Sequence, residues 1–157
     1  MAVPDLYLKM LILWLSLCLL SCTQSSSQSA QAPFPILFYH KAPCYGPCPS
    51  YKATILSDGS VTYEGFKHTP LQGQEELKLT AKQTEQILTL IGEVKYDKVK
   101  DYYPSPYTDQ PTTNLAFFKD GKEVKRIKHQ HEGPDRLQAL ISYVDEVITE
   151  RAQSKSR

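Results

Sequence analysis

This sequence is short of the features that usually announce a function. It has no Gly-x-Ser-x-Gly elbow, no phosphate-binding glycine loop, no dinucleotide fingerprint and no His-Glu-x-x-His. Nothing therefore nominates a nucleophile or a phosphate cradle. It lacks an excess of either charge: 18 basic against 17 acidic residues leave a net +1. A balance that even gives no electrostatic footprint for nucleic acid, and only the short Lys155–Arg157 end is basic. It lacks a long hydrophobic run as well. The apolar stretch from Met10 to Leu20, broken only by Ser16, is too short to cross a bilayer as a helix. Cysteine is scarce, with four residues in all. His129 and His131 could share one side of an extended segment, but no Cys or acidic cluster at ligand spacing completes a zinc site around them.

What is present begins with an address. Leu19-Leu20-Ser21-Cys22 closes the apolar run, and the chain turns polar at once with Thr23-Gln24-Ser25-Ser26-Ser27-Gln28-Ser29. This pattern reads as a cleaved secretory signal over residues 1–21. Its end resembles a bacterial lipobox, with leucine before the break, a small residue at it and cysteine after it. The resemblance implies that Cys22 is acylated and becomes the new N-terminus, so that the membrane is a partner through the lipid anchor. Each buried CH₂ is worth about 0.8 kcal/mol, so two or three chains hold firmly where one would not. Thr23, in place of an aspartate, implies delivery to the outer membrane. The lack of acidic residues just after Cys22 implies its periplasmic face. Residues 22–33 carry neither charge nor a large apolar group and read as a flexible tether.

From Phe34 the composition becomes that of one folded domain, expected over residues 34–150, with 151–157 a disordered tail. Pro35–His40 reads as a first strand that Pro43 ends. Cys44-Tyr45-Gly46-Pro47-Cys48-Pro49 cannot be helical and reads as a tight turn. Residues 51–56 and 60–65 flank Asp58-Gly59, the dipeptide that favours a type I′ hairpin. Residues 76–79 alternate as a short strand. Thr80–Gln83 has the form of a capping box opening a helix over 81–94, with Ile87, Leu88, Ile91 and Val94 as its stripe. Residues 95–111 are rich in Tyr, Asp and Pro and read as irregular.

The pattern then recurs. Residues 113–118 and 123–128 flank Asp120-Gly121, and Gly133-Pro134 supplies an N-cap and a first-turn proline. Leu137, Leu140, Ile141, Val144, Val147 and Ile148 form a second helical stripe. The implied architecture is α+β: an antiparallel sheet of five to six strands with two helices packed on one face, built from two successive ββα units.

Cys44 and Cys48 are the foremost chemical candidates. An extracytoplasmic compartment permits disulfides, and an i,i+4 pair in a turn can reach the Cα separation a bridge needs. A structural disulfide is the expected reading. The alternative is an extracytoplasmic thiol-redox or copper-handling protein, because Cys-x3-Cys-Pro resembles the metal loop of the cytochrome-oxidase copper chaperones. Two thiolates and an imidazole from His40, His68, His129 or His131 would suit Cu(I). Against it, the residues after Cys48 read as a strand, where those chaperones open a helix. The carboxylate pairs Glu75-Glu76 and Asp145-Glu146 are sequence neighbours that point different ways, so they read as solvated surface rather than a catalytic dyad.

Cys44-Tyr45-Gly46-Pro47-Cys48-Pro49-Ser50-Tyr51, followed by Asp58-Gly59 and Val61-Thr62-Tyr63, resembles a domain family of unknown function found in bacterial lipoproteins, many from Bacteroidetes. Thr108-Asp109, Pro111-Thr112-Thr113 and the C-terminal helix continue the likeness. The resemblance implies a lipoprotein setting and brings no activity, cofactor or partner. Two classes of function stay open: a non-enzymatic binding or structural domain without a cofactor, or the redox and metal role through Cys44 and Cys48. Prolines and tyrosines restrict two irregular segments, and such loops present aromatic area at low ordering cost. The candidate binding surface is therefore Tyr45, Tyr51, Tyr102, Tyr103, Tyr107 and Asp109, for an envelope protein, peptide or glycan.

Overall fold

The computed structural model describes residues 32–157. The expected signal peptide, the acylation site Cys22 and most of the tether lie outside the described residues. The strands are β1 (Pro35–Lys41), β2 (Ser50–Leu56), β3 (Ser60–Lys67), β4 (Gly73–Lys78), β5 (Tyr102–Tyr103), β6 (Thr113–Lys119) and β7 (Lys122–His129). The helices are α1 (Ala81–Val94) and α2 (Asp135–Lys155). One sheet of seven strands runs in the order β4-β3-β2-β1-β6-β7-β5. The first strand in the chain is thus the central one, paired to β2 on one side and to β6 on the other.

Two parts of the expected architecture need correction. The sheet has seven strands rather than five to six, and it is mixed: β5 runs parallel to β7, with Tyr102 opposite Lys128 and Tyr103 opposite His129. The extra strand comes from the segment read as irregular. The amide of Lys128 donates to Asp101 (2.8 Å) and that of Gln130 to Tyr103 (2.9 Å). Pro104, Pro106 and Pro111 have no N–H to give, so the pairing goes no further. Three strands therefore precede each helix once β1 is set aside, and ββα describes neither half.

The two Asp-Gly hairpins also differ. At Asp120-Gly121 both residues have positive φ (50° and 75°) and Lys119 pairs with Lys122, which is the two-residue type I′ loop. At Asp58-Gly59 only the glycine is left-handed (φ 81°), and its amide donates to Leu56 (3.0 Å). Ser57 adds a third loop residue, so this turn is a type I with a glycine bulge in place of the expected type I′. The Asp58 carboxylate accepts from the Ser60 amide (2.9 Å) and from Lys78 (3.0 Å). The Ser60 amide leads the effects that hold its pKa at about 2.

Helix α1 spans the expected residues and starts at the expected capping box. The Gln83 amide donates to Thr80 Oγ1 (3.2 Å) and the Thr80 amide to Gln83 Oε1 (3.0 Å). Its buried stripe is Thr84, Ile87 and Val94, whereas Leu88, a step around the helix from Ile87, faces solvent. In α2 the proline is the N-cap, one position earlier than expected, and its carbonyl accepts from Leu137 (2.9 Å) and Gln138 (3.1 Å). The expected disordered tail is instead the last turn of α2. Ala152 is buried, and Lys155 pairs with Glu75 (2.8 Å) while donating to the Glu76 carbonyl (2.8 Å). These contacts reward continuing the helix to Lys155.

Both helices bury their stripes in one core with the inward residues of the sheet, among them Leu37, Tyr39, Ala53, Ile55, Val61, Leu115, Phe117 and Ile127. Tyr39, Tyr51 and Tyr63 stack across three adjacent strands, with ring centroids 5.8 and 5.6 Å apart. The central Tyr51 donates to Asp145 Oδ1 on α2 (2.6 Å), and Lys41 on β1 donates to the other oxygen (2.7 Å). Asp145 is thus no solvated surface group; it joins α2 to β1 and β2. Tyr51→Phe should cost about 1 kcal/mol, and Asp145→Ala about 2–3 kcal/mol, because it strands a buried hydroxyl beside an unpaired ammonium. The double variant should cost less than the sum, as urea denaturation of all three will read.

Candidate functional site

The loop between β1 and β2 is irregular because Pro43, Pro47 and Pro49 deny it a ladder. Its ends are tied twice. Cys44 and Cys48 form a disulfide with a Cα separation of 5.7 Å, and the Ala42 amide donates to Thr112 (2.8 Å) across to the segment after β5. Within the turn the Gly46 amide donates to Cys44 Sγ (3.2 Å).

That second tie brings the two tyrosine-bearing loops together. A shallow cleft of about 340 Å³ opens between them, lined by Pro43, Cys44, Tyr45, Asp109 and Gln110. Tyr45 is 95% exposed and Tyr107 66%, with Asp109 held at a left-handed φ of 66°. Tyr102 is 44% exposed on the sheet edge, and Tyr103 is partly buried against the core. Tyr51 does not belong to this surface. At 2% exposure it is a core residue, since its position in β2 points it at α2. Of the six residues, the structure gathers Tyr45 and Asp109 at the cleft, places Tyr102 and Tyr103 on β5 and Tyr107 in the loop that follows it, and removes Tyr51.

The segment His129-Gln130-His131 turns out to organise that loop. Gln130 Oε1 accepts from the Tyr102 hydroxyl (2.7 Å) and the Ser105 amide (3.4 Å), and Nε2 donates to Thr112 (3.1 Å). The His129 ring lies against Tyr103 and the His131 ring meets Tyr107 edge-on, each at 5.9 Å. A lone glutamine between two histidines gives no sequence signal for this role; only the parallel pairing of β5 brings it under the loop.

A second pocket escaped the sequence reading. About 200 Å³ lies between α2 and the β3–β4 loop, bounded by Pro49, Tyr51, Tyr63, His68, Pro70 and Gln153. The loop folds back so closely that its Leu71 carbonyl would sit 2.0 Å from a side chain at Gly65, which is the one local hint. Tyr63 donates to that carbonyl (3.2 Å).

Burial, with Tyr39 and Asp145 close by, pushes the Tyr51 hydroxyl far above the ordinary phenol range, so it donates a hydrogen bond and stays protonated. The two sulfurs are bonded to one another, and His40 faces the other side of the sheet. Among the described residues no three His, Cys, Asp or Glu side chains converge to hold a metal, and no helix is long and apolar enough to cross a membrane.

Closing a loop of this length adds about 2 kcal/mol in the chain-entropy model. Cys44→Ala with Cys48→Ala should therefore lower stability by about that amount and leave the far-ultraviolet circular dichroism unchanged. Acid should also destabilise the domain. Burial holds both His40 and His129 below the usual imidazole value of 6.5. The unfolded chain then takes up protons first, so stability is complete above that value and falls as pH drops beneath it. Urea midpoints should decline on acidification from pH 7, and His40→Asn with His129→Asn should flatten the slope.

No curated protein matches the chain. A family model does match, over residues 35–148, from the first residue of β1 into the body of α2, and it takes in the disulfide turn, the tyrosine column and the Gln130-supported loop. The chain belongs to that family, which is described as a domain of unknown function, DUF6438.

Proposed function

We propose that this chain is a lipid-anchored protein of the bacterial cell envelope whose domain binds rather than catalyses. Cys22 carries the acyl chains, residues 22–33 tether the domain, and the setting is the periplasmic face of the outer membrane. The single observation that carries the binding role is the cleft between the Cys44–Tyr45 turn and Asp109–Gln110. Two exposed tyrosines stand beside it on loops already ordered by the disulfide, by Ala42–Thr112 and by Gln130. Large rings on a pre-ordered backbone lose little entropy on contact, which favours affinity for an envelope protein, peptide or glycan.

The address and the surface are tested in one experiment on cells. Mass spectrometry of the wild type should find cleavage before Cys22 and lipid on it, and Cys22→Ser should leave the membrane fraction. Tyr45→Ala with Tyr107→Ala should keep the anchor and shift the melting temperature by no more than a degree or two, since both rings stand in solvent. The same variant should lose the envelope component that cross-links to the wild type. A large fall in melting temperature would make the tyrosines structural, and retained cross-linking would move the site elsewhere.

A further inference from the structure

Helices cover one face of the sheet; among the described residues nothing lies over the other. That open face carries the outward side chains of β1, β2, β3, β6 and β7. The strand registers set Glu64, Lys52, His40, Asn114, Lys128 and Tyr102 side by side in one row across the strands. With neighbouring strands about 4.8 Å apart, Lys52 and Lys128 stand roughly 14 Å from each other. The next row runs Thr54, Phe38, Ala116 and Arg126.

Three cations on this face rest on aromatic rings. Lys52 lies over Phe66 (5.0 Å to the centroid), Arg126 over Phe38 (5.9 Å) and Lys128 over Tyr102 (5.0 Å). At one end a cleft of about 240 Å³ is bounded by His40, Pro43, Ser50, Lys52, Phe66 and Lys67. Its walls hold two ammonium groups, an imidazole and two apolar rings, and no carboxylate. Glu64 pairs with Lys52 at 3.7 Å from outside these walls, and Lys67 and Lys128 remain without such a partner among the described residues. Burial, with Lys52 close by, holds His40 below the usual imidazole range.

We infer that this open face binds an acidic glycan, a sugar chain bearing carboxylates, seated in the Lys52–Phe66 cleft and crossing the strands toward Lys128 and Tyr102. Sugar rings have apolar C–H faces that pack on Phe66 and Tyr102, and acidic groups along the chain would meet the spaced ammonium groups. Two lysines set roughly 14 Å apart across a broad face suit a linear polymer better than a compact ligand. A bilayer would call for a contiguous apolar surface, whereas this face intersperses its rings with charged and polar side chains. The face shares Pro43 with the cleft of the proposed function but does not depend on it.

The test titrates the full chain with polygalacturonate, with neutral dextran and with phosphatidylglycerol vesicles. Polygalacturonate should bind in a salt-sensitive way, shifting the amide resonances of His40, Lys52 and Lys128, while dextran does not bind. Lys52→Gln with Lys128→Gln should weaken binding at least tenfold and Phe66→Ala severalfold. Tyr45→Ala with Tyr107→Ala should bind as the wild type does, which separates this site from the loop cleft. Should the lysine variant fail to fold, the resonance shifts in the wild type decide. The inference is overturned if polygalacturonate does not bind, if dextran binds equally, or if the folded open-face variants bind as the wild type. Resonance shifts confined to the Tyr45 loop, or binding of the vesicles in place of the polymer, would overturn it too.

Discussion

One carboxylate on α2 fastens the helix layer to two of the central strands of the sheet. Asp145 on α2 accepts a hydrogen bond from Tyr51 on β2 with one oxygen and from Lys41 on β1 with the other. Both partners sit where the central strands run into the disulfide turn, so the helix is fastened at the end of the sheet from which the irregular loops project. Tyr51 is also the middle ring of the stack that joins β1, β2 and β3. A hydrogen bond between a buried phenol and a half-buried acid is strong because water is largely excluded, and costly to lose for the same reason. The turn bearing Tyr45 therefore leaves from two strand ends that are each bonded to α2.

What could be read from the chain was whatever depended on near neighbours. The capping box at Thr80 and Gln83, the span of α1, the disulfide turn and the Asp120-Gly121 hairpin all follow from residues a few positions apart. The features missed depend on distant partners. Asp145 looks solvated until Tyr51, far off in sequence, is placed opposite it. Residues 151–155 look like a frayed end until Lys155 meets Glu75. Tyr102 and Tyr103 form a strand only because β7 offers a free edge, and no alternation announces two residues.

The candidate site divides along the same line. Its position at the Cys44–Tyr45 turn was legible, because prolines and a disulfide define that loop locally. Membership was legible only in part: Tyr51 shares the sequence motif with Tyr45, but its alternation with Ala53 and Ile55 along β2 already marks it as a core residue. The role of Gln130 was invisible because it rests on side-chain hydrogen bonds to Tyr102 and Thr112 from the far side of a parallel pairing.

The two outer strands of the sheet have a consequence for self-association. β4 and β5 are the edges, and an exposed edge offers its backbone as a template for another chain. On β4 the Lys155 ammonium already occupies the Glu76 carbonyl, and Gln74, Glu75, Glu76 and Lys78 crowd the strand with polar groups. On the other side β5 is two residues long and runs straight into Pro104. The stretch of β7 that β5 leaves unpaired carries Lys122, Glu123, Lys125 and Arg126, charges that oppose the addition of a further strand. The domain is thereby guarded against zipping into a continuous sheet with other copies of itself, and its last helical turn is part of that protection.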